Sequence, residues 1–122
     1  PQVDYRVYVF HKNNRIEAVA VIRLNIRYGL HELILAEIWA RDARVDLMVQ
    51  LLNSLFKDVD ADYVVAHFSE NSVEYVALRK SFFFRVPIKK MRLFVRKLSK
   101  PLPDSVLVMS GWDLTLGDLE LF

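Results

Sequence analysis

Charged residues crowd one short junction of this sequence, Trp39-Ala40-Arg41-Asp42-Ala43-Arg44-Val45-Asp46, where an apolar run over residues 33–39 gives way to helical periodicity. In open α/β sheets ligands gather at the carboxyl ends of strands, so chemistry is expected here first. Arg41 and Arg44 offer guanidinium donors that suit a phosphate or carboxylate, or else serve as ordinary charges at the start of a helix. Asp42 is placed to cap that helix, and Asp46 falls in its first turn, where the helix dipole favours negative charge. Upstream, alternation puts Glu37 on the face of Leu33, Leu35 and Trp39, a desolvated setting that favours proton uptake; the alternative is an ion-paired acid at a solvated strand end. Downstream, His67 alternates with Val65 and Ser69 and would face Glu37 if the two strands are neighbours. That arrangement is either an acid/base couple or a hydrogen-bonded strand histidine.

Other chemistries lack their residues. Cysteine is absent, which removes disulfides, thiolate metal sites and a thiol nucleophile. The three histidines recur at no ligand spacing, so no metal is expected. No nucleophile-elbow pattern and no Ser-His-Asp order is present. Apolar runs are broken by charge well short of the ~18 residues that a membrane span needs, and no signal-peptide pattern opens the chain. A soluble, cytoplasmic protein with no membrane partner is expected. The sequence begins with Pro1 almost directly in strand pattern, which suggests a piece of a longer polypeptide.

The net charge of +2 conceals two blocks. No acid lies between Glu74 and Asp104, a stretch with nine bases from Arg79 to Lys100, whereas beyond it come only Asp104, Asp113, Asp118 and Glu120. Mutual neutralisation across a surface is the simpler reading, and a nucleic-acid or anion patch over residues 89–100 the weaker one.

The elements that must position these residues follow from period. With 122 residues, 53% of them hydrophobic and 26% charged, the chain fits a single globular domain spanning residues 1–122. Residues 5–11 and 16–27 alternate around the polar turn Lys12-Asn13-Asn14-Arg15, predicting a hairpin. Ala18, Ala20, Ile22, Leu24 and Ile26 form the apolar face of its second arm. Tyr28-Gly29-Leu30-His31 predicts another turn before a third strand over residues 32–39. Val45, Met48, Leu52, Leu55 and Val59 recur at helical spacing, so a helix should cover the sheet until the acidic stretch 58–62. Residues 63–68 read as a buried strand parallel to the third, because a helix intervenes. Asn71 with Glu74 three residues on resembles a capping box for a second helix over residues 71–82. Strands are expected at 89–98 and 112–116, with a short one at 105–109.

The resulting order, β-β-β-α-β-α-β-β, with a mixed, largely antiparallel α+β sheet of about six strands and two helices, resembles the C-terminal part of the GNAT acyltransferase fold. The stretch Asn71-Ser72-Val73-Glu74-Tyr75-Val76-Ala77-Leu78-Arg79-Lys80-Ser81-Phe82-Phe83 looks like the segment in which an Asn opens the last helix of such domains and a Gly-Phe pair ends it. The ending Gly111-Trp112-Asp113-Leu114-Thr115-Leu116-Gly117-Asp118 resembles the closing strand and tail of a GNAT-like group found in larger proteins.

The resemblance implies transfer of an acyl group from acetyl-CoA or another acyl-CoA to a small-molecule amine. It implies Glu37 as the base on the central strand. The cofactor would lie along Trp39, Ala40, Arg41, Arg44 and Asn71. In the family the junction is a Gly-rich turn that holds a pyrophosphate, whereas here it contains no glycine. Where many members carry a proton-donating Tyr this chain has Leu78, with Tyr75 one turn earlier either as substitute or as a packing residue. The alternative is a non-catalytic GNAT-like association module. It would dock the N-terminal region of the same polypeptide or a second copy, as a homodimer, through the apolar face of residues 16–27 with Phe10 and Trp39 nearby.

Overall fold

The computed structural model describes residues 4–85: β1 Tyr5–Lys12, β2 Arg15–Arg27, β3 Leu30–Ala40, a 3₁₀ turn Arg41–Ala43, α1 Val45–Asp58, β4 Tyr63–Ala66 and α2 Val73–Lys80. The strands expected at 89–98, 105–109 and 112–116, the basic stretch 89–100 and the Gly111–Asp118 motif lie outside the described residues. What is present is an α+β fold with a mixed sheet in the order β1-β2-β3-β4 and two helices.

Local chemistry sets the first two connections. Asn13 and Asn14 both take left-handed φ, 52° and 59°, so a two-residue turn joins Lys12 to Arg15. Asn tolerates that region better than most residues, and two positive φ values match the twist of a hairpin. Tyr28 (φ 54°) and Gly29 (φ 79°) repeat the device, and β3 therefore begins at Leu30, two residues earlier than the alternation suggests. β1 and β2 pair antiparallel, as do β2 and β3, whereas β3 and β4 pair parallel across α1.

The core lies between one sheet face and both helices. Ala18, Ala20 and Ile22 of β2 and Leu33, Leu35, Ile38 and Ala40 of β3 pack with Leu47, Met48, Leu51, Leu52 and Leu55 of α1 and with Ala77 and Leu78 of α2. Alanines at 18, 20 and 40 have no exposed surface and let the helix approach closely. Each fully buried leucine, such as Leu52, contributes on the order of 1.5–3 kcal/mol over its exposed state. The apolar face of β2, expected above to be free for docking, is thus the inner face of this core.

β3 changes parity partway. Its partners run Ile22↔Leu35 and then Val21↔Glu37, so Ala36 is an extra residue, a β-bulge. Before it Leu33 and Leu35 point inward; after it Ile38 and Ala40 do. Glu37 and Trp39 therefore lie on the outer face, with Ile34 and opposite Val21 and Val19. The shared face expected for Glu37, Leu33 and Leu35 is overturned by this one residue, and Trp39 is 51% exposed.

α2 begins one residue later than its Asn suggests. Ser72 is the cap, its hydroxyl oxygen accepting from the Tyr75 N–H at 3.1 Å, and Asn71 is exposed just outside. The helix ends on Ser81 with Phe82 left-handed (φ 64°) and the Phe83 N–H donating to the Leu78 carbonyl at 3.1 Å. That closure turns Phe83 inward against Phe56 of α1, ring centroids 5.8 Å apart, and leaves Phe82 85% exposed. No described helix is long and apolar enough to cross a membrane.

Candidate functional site

The carboxyl ends of β3 and β4 are where the sheet opens. Pairing between them runs only from Glu32↔Tyr63 to Leu35↔Ala66, while β3 continues to Ala40. β3 thus runs on through residues 36–40, past its last described pair with β4. Glu37 is half-buried beside this opening, and His67 follows the last paired residue of β4 by one position. The pairing stops short of both, so no strand register sets His67 against Glu37.

The junction follows directly on the end of β3. Asp42 (φ 53°, ψ 29°) and Ala43 (φ 52°) are left-handed within the turn Arg41–Ala43, conformations that glycine adopts at least cost. Asp42 is not the helix cap: Arg44 occupies that position, and its side chain makes no capping hydrogen bond. Arg44 instead grips Asp46, its Nε 3.1 Å from Oδ1 and its Nη2 on Oδ2. The hydrogen bonds of this pair raise the Arg44 pKa, and the bond from Arg44 lowers that of Asp46. Arg41 donates from Nη2 to the Ile16 carbonyl at 3.0 Å and lies 3.5 Å from Glu17. Both arginines are thus engaged, and two cations face three carboxylates, Glu17, Asp42 and Asp46.

The other residues expected at the site separate. Ala40 is fully buried in the core, Trp39 projects from the outer face, and Asn71 is exposed beyond the α2 cap. Tyr75 is half-buried and packs on the core, while Leu78 is buried within it. Among the described residues no group of His, Asp and Glu could hold a metal ion.

The opposite end of the same strands carries a cluster that the sequence reading did not single out. Glu32, only 3% exposed, accepts from Asn25 Nδ2 at 3.1 Å and from the Tyr63 hydroxyl at 2.9 Å. The Arg27 Nε lies 3.2 and 3.3 Å from its two oxygens. Burial alone would raise the Glu32 pKa, but the bonds from Asn25, Tyr63 and Arg27 together lower it. Burial, with the bond to Glu32, raises the Tyr63 pKa. Beside this cluster the His31 N–H donates to Asp62 Oδ2 at 2.7 Å, and the Asp62 N–H returns a bond to the His31 carbonyl at 2.8 Å. The readable signal was an acid in an antiparallel register opposite Asn25 and near Arg27. A depression of about 590 Å³ at this end touches Asp4, Arg6, Asn25, His31 and Asp60. It is wide open, and its Asp4 and Arg6 pair with each other, so it presents less of a built site than the strand ends do.

The architecture has counterparts among solved structures. Crystal structures of TTHA1254 from Thermus thermophilus, the wild type and a point mutant, each superpose with a TM-score of 0.52 at 14% identity, covering 77% of this chain and 72% of that one. At that identity the likeness is one of fold. No family model matches the chain, and no curated protein matches it in sequence.

Proposed function

We propose that the open carboxyl ends of β3 and β4 form the donor site of a GNAT-like N-acyltransferase, which moves an acyl group from acetyl-CoA or another acyl-CoA to a small amine. The observation that supports this reading is that β3 and β4 part after Leu35↔Ala66 while β3 runs on to Ala40. The pantetheine arm of coenzyme A is an extended chain with amide groups, so it can lie along diverging strand ends and hydrogen-bond as an added strand would. Left-handed φ at Asp42 and Ala43, and at Phe82, keeps a glycine-like backbone at positions where the GNAT resemblance expects glycine. The described order β-β-β-α-β-α is consistent with this reading, and the full GNAT-like order with its six-stranded sheet belongs to the proposal.

In this reaction the amine nitrogen attacks the thioester carbonyl, Glu37 accepts the ammonium proton, and the C–S bond breaks to release the thiolate, which is protonated by solvent. Leu78 is buried in the core and carries no ionisable group, and Tyr75 packs half-buried beside it.

The junction charges favour a second reading, a GNAT-like module that has lost its cofactor and serves in association. Arg41 and Arg44 are tied to Glu17 and Asp46, and the excess carboxylate opposes a pyrophosphate. Thermal unfolding of the whole chain with acetyl-CoA and longer acyl-CoA thioesters separates the two. A ligand that binds the folded state adds about 2.7 kcal/mol at a hundredfold excess over Kd, so the acyltransferase reading expects a melting temperature that climbs with concentration. A flat response at millimolar thioester leaves the association reading.

A further inference from the structure

Among the described strands β1 lies at the edge of the sheet, with β2 as its one partner. It runs eight residues, Tyr-Arg-Val-Tyr-Val-Phe-His-Lys, without proline, glycine or acid, and its centre, Val7-Tyr8-Val9, is uncharged. Val7 is 61% exposed and Val9 38%, both on the sheet face opposite the helices, which no described helix covers. Tyr8 and Phe10 pack on the core side. An exposed strand of this composition is a template for another strand.

Its sequence selects which strand. An antiparallel copy placed about a two-fold axis through Tyr8 sets Asp4 against the partner's Lys12, Val7 against the partner's Val9, and Arg6 against the partner's Phe10. Each pairing occurs twice. The pairs match in parity, so outward-pointing backbone groups meet outward-pointing ones and side chains of each pair share a face. Opposite charges and β-branched pairs directly across a ladder are stabilising. The opposite charges at the two ends of residues 4–12 are complementary in this register. Asp4 is exposed and, among the described residues, pairs with Arg6 at a long 3.4 Å, so it can meet an incoming lysine.

We infer that β1 pairs with the β1 of a second copy, making a two-fold dimer with one continuous eight-stranded sheet across the described strands of both copies. The partner is this chain itself, and the contact is independent of the acyl-CoA reading because it lies at the far edge from β4.

The chain has no cysteine, which makes cross-linking a clean test of the register. In the dimer, Tyr8→Cys places two thiols on residues whose Cα atoms lie about 4.5–5.5 Å apart, within disulfide range. Arg6→Cys places them four residues out of step, about 14 Å apart, beyond it. The expected result is a disulfide-linked dimer from Tyr8→Cys under mild oxidation and none from Arg6→Cys. Alongside, sedimentation of the wild-type chain should show a dimer, with Val7→Lys weakening it by about tenfold or more. Val7 is exposed, so that variant keeps the monomer fold, which circular dichroism checks. Asp4→Lys should weaken the dimer and Asp4→Lys with Lys12→Asp should restore it. A monomeric wild type, a dimer insensitive to Val7→Lys, or equal cross-linking at positions 6 and 8 would each overturn the inference.

Discussion

At the start of β3, residues 32–35 pair on both sides, with β2 and with β4, and Glu32 gathers three side-chain donors out of water. At its end, residues 37–40 pair with β2 beyond the last β4 pair, and the nearby Arg44–Asp46 pair is exposed on both sides. The two ends use similar residue types to different effect. A desolvated carboxylate whose donors come from other strands ties those strands together, whereas an ion pair two residues apart at the surface ties a helix turn only to itself. The closed end holds β3 and β4 in register, and this allows the other end to stand open without the pair separating. A site is best built where rigid elements diverge from a fixed point, and the Glu32 cluster supplies that point.

The sharpest way to break this contrast is to load the inner face beyond the bulge. Ile38→Asp would set an unpaired carboxylate in the core, where Ile38 is only 3% exposed. A loss of at least ~4 kcal/mol is expected, enough to unfold a marginal domain, and it would be read by urea titration followed by circular dichroism. An Ile38→Asp variant as stable as the wild type would mean that the bulge does not turn Ile38 inward.

A smaller effect is expected at the closed end. Glu32→Ala leaves the Tyr63 hydroxyl and the Asn25 amide without their acceptor and should cost about 2–3 kcal/mol in the same titration. Its pH signature has a definite sign. The folded Glu32 holds its proton less tightly than the unfolded one, so its contribution is complete above the ordinary glutamate pKa and is lost as pH falls through the lowered folded value. The stability gap between wild type and Glu32→Gln should therefore stay constant from neutral pH down to the carboxyl range and narrow below it. A gap that widens on acidification would contradict the lowered pKa.

The least effect, of opposite sign, belongs to the open end. Ala43 is exposed and left-handed, so Ala43→Gly should stabilise by ~0.5–1 kcal/mol, seen as a small rise in melting temperature. A fall would show that the turn owes its shape to more than backbone preference.

Much of the fold was legible because it rests on period. Alternation located β1, β2 and β3, the helical stripe from Val45 to Val59 located α1, and the intervening helix implied the parallel pairing of β4. What stayed hidden turns on single residues. Nothing in Leu33-Ile34-Leu35-Ala36-Glu37-Ile38-Trp39 marks Ala36 as extra, since either parity gives a plausible inner face, so Glu37 was placed on the wrong one. Asn71 and Ser72 are both good caps, and only the bond to the Tyr75 N–H chooses between them. At the candidate site the junction was found from its position after a strand, but the engagement of Arg41 by Glu17 spans two strands that no local pattern connects. Glu32 was overlooked for the same reason, since Tyr63 reaches it from 31 residues away.

The bulge at Ala36 also bears on ancestry. Two chains that share this sheet but differ by one residue at that point would have identical inner surfaces and, in an ungapped comparison, every later position of the strand displaced by one. Buried alanine would then be matched against exposed tryptophan, and kinship would fade from the letters while persisting in the shape. Relatives of this protein are better sought by the spacing Leu33, Leu35, Ile38, Ala40, with its single odd interval, than by overall resemblance of sequence.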